Sequence, residues 1–224
     1  MSTPKKVFVS YKYSDVVEGR EGKFNFRDDL IERLGENGLR HKGEDDESFD
    51  MEDYSEDEIY QKIAPYIKKS SITVVLITPN TKHSKWIPWE ISLSLRERTY
   101  KEEQNMTRNG LIGVYLPLNS SLKPIEAGGD YTFYLEKKEC GTTTHFTPKF
   151  PLMIQDNTFN LRNGDHKCNK GCCDKVYDSD TGSYMQLVKW SDFISDMQGY
   201  IDKAWERRNN FEDYECRINL KNGM

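Results

Sequence analysis

Apolar and polar positions in the first half of the chain follow two alternating patterns. Lys6-Val-Phe-Val-Ser-Tyr11 is a short, nearly unbroken apolar run, as expected of a parallel strand covered on both faces. From Asn25 the period lengthens. Phe26, Leu30, Ile31 and Leu34 share one stripe, Asp28 and Asp29 sit in the early turns, and Gly35 and Gly38 follow, which predicts an amphipathic helix. A weak second strand is predicted around Gly38 to Lys42. Ser55-Glu-Asp-Glu58 reads as a capping box opening a helix with Ile59, Ile63 and Ile67 on one side and a kink at Pro65. Ser71 to Thr78, continuous and rich in β-branched residues, is the clearest strand, and Pro79-Asn80 ends it. A third helix is expected with Pro88 at its first position, running through Ile91 and Leu95 to about Gln104. The turn signal Asn109-Gly110 precedes a fourth strand, Leu111 to Leu116.

Beyond Pro117 the alternation fades. Residues 118–185 are rich in Gly, Asn, Asp and Thr, with short β-like pieces at Tyr131 to Leu135 and Phe150 to Ile154. They read as an irregular insertion, and a segment of that length is uncommon in a compact domain unless it has a task. A final helix is predicted over Ser191 to Arg208, packing through Phe193, Ile194, Met197, Ile201 and Trp205. The organisation expected is one domain over 1–210, carrying the insertion 118–185, and a polar tail over 211–224. Alternating strands and helices imply an α/β fold with a parallel sheet. Size and right-handed crossovers favour a flavodoxin-like, three-layer fold of five parallel strands in the order 2-1-3-4-5. Its switch point lies between the first and third strands. The carboxyl ends there, Ser10-Tyr11-Lys12 and Thr78-Pro79-Asn80, mark the expected ligand crevice.

Composition narrows the function. Of 224 residues, 36% are hydrophobic and 31% charged, and the 12% that are aromatic supply stiff core pieces, so the chain is globular and highly charged. Glu44 to Glu58 holds ten acids and no base, leaving 32 basic against 27 acidic residues elsewhere. A mildly basic body without a basic stripe does not mark a nucleic-acid binder, but it accommodates an anionic small molecule. The longest apolar run, Ile72 to Thr78, falls far short of the ~20 residues that span a bilayer. Met-Ser-Thr-Pro-Lys-Lys offers no signal-peptide apolar region, and five cysteines, an odd number, suit reduced thiols. A cytoplasmic protein that engages no membrane is expected.

Absent motifs exclude more. Without G-x-G-x-x-G or Walker A, a dehydrogenase or P-loop NTPase has no support, and without H-E-x-x-H or G-x-S-x-G neither does a zinc protease or α/β-hydrolase. What remains near the crevice is Ser84-Lys-Trp86-Ile-Pro-Trp89-Glu90. Glu90 is expected in the first helical turn, where the helix N-terminus favours an ionised carboxylate. Such a carboxylate beside two tryptophans can bind ribose hydroxyls and face a cationic sugar transition state. The plainer reading makes it a favourable first-turn acid with the tryptophans in the core. Tyr11, Lys12 and Tyr13 either stack on a base and meet a pyrophosphate, or serve packing and surface charge. His166, Cys168, Cys172 and Cys173 have zinc-ligand chemistry but not a standard zinc spacing, so a thiol cluster without metal is expected. His83 reads as a solvated loop residue.

Lys6-Val-Phe-Val-Ser-Tyr11 followed by Asp15, with Ser84-x-Trp86-x-x-x-Glu90, resembles the TIR domain family over Lys6 to about Leu116. The Trp86-Ile-Pro-Trp-Glu-Ile91 version is most similar to the bacterial TIR-like proteins of the Thoeris anti-phage system. The resemblance implies cleavage of the nicotinamide–ribose bond of NAD, with Glu90 as the catalytic residue. It places Ser10, Tyr11, Lys12, Asp15, Asn80, Ser84 and Trp86 around the substrate. NAD is then a substrate, with no cofactor and no metal. The product implied is a cyclic ADP-ribose isomer that activates a downstream effector; a phage-derived trigger and a homo-oligomer on activation are the other partners. Three departures stand out. Ile87 occupies the family's usual cysteine position, Glu44 to Glu58 the loop that mediates assembly in many TIR domains, and 118–185 has no counterpart in a minimal TIR domain. The alternative function is a non-catalytic adaptor that docks other proteins. Glu90 between two tryptophans favours the enzyme, because an adaptor has no use for that carboxylate.

Overall fold

The computed structural model describes residues 5–12, 14–15, 24–39, 56–97, 108–163, 170, 172 and 180–220. The sheet is parallel throughout and contains β1 (Val7–Ser10), β2 (Gly38–Leu39), β3 (Ile72–Ile77), β4 (Gly110–Tyr115) and β7 (Met185–Lys189). Its spatial order is β2-β1-β3-β4-β7. The α/β layering with a parallel sheet agrees with the sequence pattern. The strand beside β4 is not the next in the chain, because β5 (Leu135–Lys137) and β6 (Thr143–His145) intervene as a separate antiparallel hairpin.

All six residues of β3 are buried, and so are all six of β4, which is why both read as continuous apolar runs rather than alternating ones. Each fully buried Ile, Val or Leu there contributes roughly 1.5–3 kcal/mol relative to exposure. Helices cover both faces. On one, Val7, Val9, Val74 and Val114 pack with α1 (Phe26–Leu34), α5 (Trp190–Ser195) and α6 (Met197–Asn209). On the other lie α2 (Glu56–Lys69), α3 (Trp86–Leu95) and α4 (Leu152–Gln155), packed on Phe8, Val75, Ile77 and Tyr115.

Local chemistry sets the boundaries. Asn25 Oδ1 accepts from the amides of Arg27 (3.1 Å) and Asp28 (3.3 Å), capping α1, and Gly35 closes it at φ +55°, a left-handed value that favours glycine. α2 runs from Glu56 to Lys69 with Pro65 inside it. Its expected cap Ser55 and the acidic stretch 44–55 lie outside the described residues. α3 begins two residues before Pro88 and ends at Leu95, with Arg96 already extended, so the expected run to Gln104 is cut short.

The second half departs most from the sequence reading. Tyr131 to Leu135, expected as β-like, is a 3₁₀ turn over Thr132–Tyr134 leading into β5, and the Phe150 to Ile154 piece becomes α4 after Pro151. The fifth parallel strand expected of the fold is β7, formed by residues to which the apolar pattern assigns no strand. The expected helix over Ser191 to Arg208 divides at Asp196, whose φ of −140° is non-helical and whose Oδ1 caps α6 by accepting from Gly199 N at 3.2 Å. The expected tail is docked as far as it is described: Phe211 and Tyr214 are buried, and Cys216, Ile218 and Leu220 pack against the α3 core. No helix among the described residues is long and apolar enough to cross a membrane.

Candidate active site

A crevice is expected where helices leave opposite sides of the carboxyl ends of β1 and β3. Side chains alternate along a strand. Tyr11 therefore continues the Val7 and Val9 side into the α1 core, while Ser10 follows Phe8 toward α3. Ser10 Oγ donates to Glu90 Oε2. Both are buried, Ser10 at 1% exposed and Glu90 at 4%. Trp86, Glu90 and Ser94 recur every fourth residue on one side of α3. Ser94 Oγ lies 2.8 Å from Thr73 Oγ1 in β3, so this stripe faces the sheet.

Glu90 is the fifth residue of α3, not a first-turn acid as the sequence suggested. The field of the helix N-terminus falls off within the first turn. The Ser10 hydroxyl supplies a direct grip on the carboxylate instead.

A second carboxylate, Asp15, is 7% exposed and accepts from Thr78 Oγ1 and from Asn80 Nδ2, the latter at 3.1 Å. It ties the segment after β1 to the 3₁₀ turn Pro79–His83 after β3. That turn is closed by Thr78 N donating to Thr81 Oγ1 at 2.9 Å. Lys12 is half-buried, and its carbonyl accepts from Asp15 N at 3.1 Å. Ser84 Oγ accepts from Ile87 N at 3.2 Å and starts α3. Trp86 meets Trp89 edge to face at 6.4 Å, and both pack against Phe8, Ile63, Ala64 and Ile67. Asn80 and His83 are exposed. Tyr13 lies outside the described residues.

The structure thus joins Ser10 to Glu90 and Asp15 to Asn80. Tyr11 turns its ring into the core, where Arg27 Nη1 donates to its hydroxyl at 3.1 Å. Two residues near the crevice were not singled out from sequence: Thr81 and Tyr134. The Thr-Pro-Asn-Thr run signals the first, since threonines three apart around a proline suit a capped turn. Tyr134 has no local signal. Its hydroxyl donates to Ile77 O at 3.1 Å, and its pKa is pushed well up, first by burial and then by Tyr115 and the Asp15 carboxylate.

A family model described as Thoeris protein ThsB, TIR-like domain, matches residues 8–121. The chain belongs to this family. The match runs from β1 past β4 and contains Ser10, Tyr11, Lys12, Asp15, Asn80, Ser84, Trp86 and Glu90. The hairpin, α4, β7, α5 and α6 lie beyond it.

Of the cysteine cluster considered in the sequence, Cys168 and Cys173, with His166, lie outside the described residues. Burial pushes the Cys216 thiol up to about 12. Among the described residues no group of three or more His, Cys, Asp or Glu side chains is arranged to hold a metal ion.

Proposed function

We propose that this protein cleaves the nicotinamide–ribose bond of NAD, with Glu90 facing the reacting ribose, and forms a cyclic ADP-ribose-type signal in anti-phage defence. The observation that carries the reading is a buried carboxylate, gripped by Ser10, at the switch point of a TIR-like sheet. Family membership adds the defence setting.

Breaking the bond leaves its electron pair on the pyridine nitrogen, which already bears the positive charge, so nicotinamide departs neutral and needs no general acid. A cationic ribose remains. A fixed carboxylate stabilises that charge as it develops and holds the ribose hydroxyls. Capture by water, with loss of one proton, gives ADP-ribose; capture by a hydroxyl or ring nitrogen of the same molecule gives a cyclic product. Trp86, one turn from Glu90, shields that side from water and favours the internal nucleophile. Lys12 suits the pyrophosphate, while Ser10, Tyr11, Asp15, Asn80 and Ser84 bind or order the surroundings of the substrate. NAD is the substrate, and the step as written uses no cofactor. On this reading the protein works in the cytoplasm, where NAD is held, responds to a phage-derived trigger, assembles on activation, and signals to a downstream effector rather than to nucleic acid or membrane.

The test is product analysis. Extracts of phage-infected cells that express the chain should show nicotinamide release and a species one water lighter than ADP-ribose, by mass spectrometry. Protection from phage with neither product would replace the enzyme with an adaptor.

A further inference from the structure

The segment after α6 reaches the residues that follow α4 and then α3 itself. Glu215 N donates to Asn160 O at 2.8 Å, and Asn157 brackets Arg217, accepting from its amide and donating to its carbonyl, both at 3.0 Å. Arg217 pairs with Asp156. Cys216, Ile218 and Leu220 then pack against the cluster holding Ile87, Ile91 and Leu95 of α3. At that contact Ser92 Oγ, 1% exposed, donates to Ile218 O at 2.6 Å. Ser92 lies two residues beyond Glu90 on the same helix. α3 is therefore held from two sides, by Thr73 in the sheet through Ser94 and by the chain's last described residues through Ser92.

We propose that residues 214–220 form a strap that seats α3, with Ser92 the positioning residue that keeps Glu90 against Ser10. The role in turnover rests on the reading of Glu90 as the catalytic group. A helix that shifts by a fraction of an ångström leaves substrate contacts made elsewhere in the crevice intact but misplaces the carboxylate, and such misplacement lowers turnover more than binding. The strap also joins the segment after α4 to α3, so the half of the chain beyond the family match supports the reacting half.

The experiment compares the chain with Ser92→Ala, Ser92→Thr and, as a control across the sheet from α3, Ser195→Ala on α5, which removes the hydroxyl that donates to Asp192 O at 2.7 Å. Amide hydrogen exchange of Ile91–Leu95 and the kcat and KM for nicotinamide release are measured on each. Ser92→Ala should speed exchange in α3 and lower kcat, each by about fivefold, the factor that one lost hydrogen bond carries. KM should stay within about twofold, Ser92→Thr should restore both quantities, and Ser195→Ala should leave both unchanged. Unchanged exchange in α3, or faster exchange with kcat unchanged or raised, overturns the proposal. If the unmodified chain releases no nicotinamide, the reading of Glu90 fails instead, and the exchange arm alone decides whether the strap seats the helix.

Discussion

Ser10 ends β1 at the position where the pleat turns its side chain toward α3, so one hydroxyl connects the first strand to the glutamate eighty residues later. Hydrogen bonds to a charged group contribute about 1.5–3 kcal/mol. Ser10→Ala should therefore lower nicotinamide release by at least about tenfold while the far-ultraviolet circular dichroism stays unchanged; full activity would remove Ser10 from the site. His145 offers a separate test by pH. Its Nδ1 is 3.1 Å from Tyr115 Oη, and burial lowers its pKa from 6.5 to about 4. Between those values the unfolded chain binds more protons than the folded one, so this contribution is complete above pH 6.5 and is lost as the pH falls toward 4. The thermal midpoint of His145→Gln should decline less than that of the unmodified protein over that window, and parallel declines would contradict the assignment. Ser10 was legible from sequence because it closes an apolar run at the switch point, and Glu90 because a carboxylate beside two tryptophans stands out; Asp15 entered only through the family resemblance. Tyr134 was not legible, because it reaches Ile77 O from 57 residues away and nothing local announces it.

At the scale of elements, α3 is fixed by several polar contacts beneath an apolar surface. Asn109, 1% exposed, donates through Nδ2 to Ser70 Oγ (2.6 Å), Thr73 Oγ1 (3.0 Å) and Ile67 O (3.3 Å), and its amide donates to Ser94 O (2.8 Å). One side chain thus links the end of α2 to β3, and its backbone reaches α3. Asn109→Ala strands buried acceptors and should cost about 2–3 kcal/mol in urea unfolding; a loss below about 0.5 kcal/mol would show that the linkage is dispensable. Elements with unbroken apolar runs or strong caps were readable: β1, β3, β4 and α1. β7 was not, because Met-Gln-Leu-Val-Lys is short and Gln186 interrupts it. The docked end did leave a signal, since Tyr214, Cys216, Ile218 and Leu220 alternate with polar residues at period two. Charged neighbours masked it as a polar tail.

Across the whole molecule, the half beyond the family match packs on the same sheet as the half within it. α6 lies so close to β4 that a Cβ on Gly110 would fall on the backbone carbonyl of Ala204. Gly113, by contrast, would meet only side-chain ends, Leu187 at 2.5 Å and Ile77 and Met185 at 2.9 Å. Gly110→Ala should destabilise by about 3 kcal/mol, because backbone cannot yield as a rotamer can, and Gly113→Ala by about 1 kcal/mol. The reverse ranking in thermal unfolding would contradict this docking. The layers themselves were legible from alternating periods along the chain. The pairing of β7 with β4 was not, because the 69 residues between Tyr115 and Met185 carry no fixed period that announces their return to the sheet. The central claim remains that the chemistry rests on one carboxylate, and nicotinamide release by Glu90→Gln tests it most directly. Glutamine keeps the shape and can still accept from Ser10, so the fold should persist while the stabilising charge is gone. The expected loss is on the order of 10²–10³ in rate, with thermal unfolding nearly unchanged. Release at the unmodified rate would contradict the account.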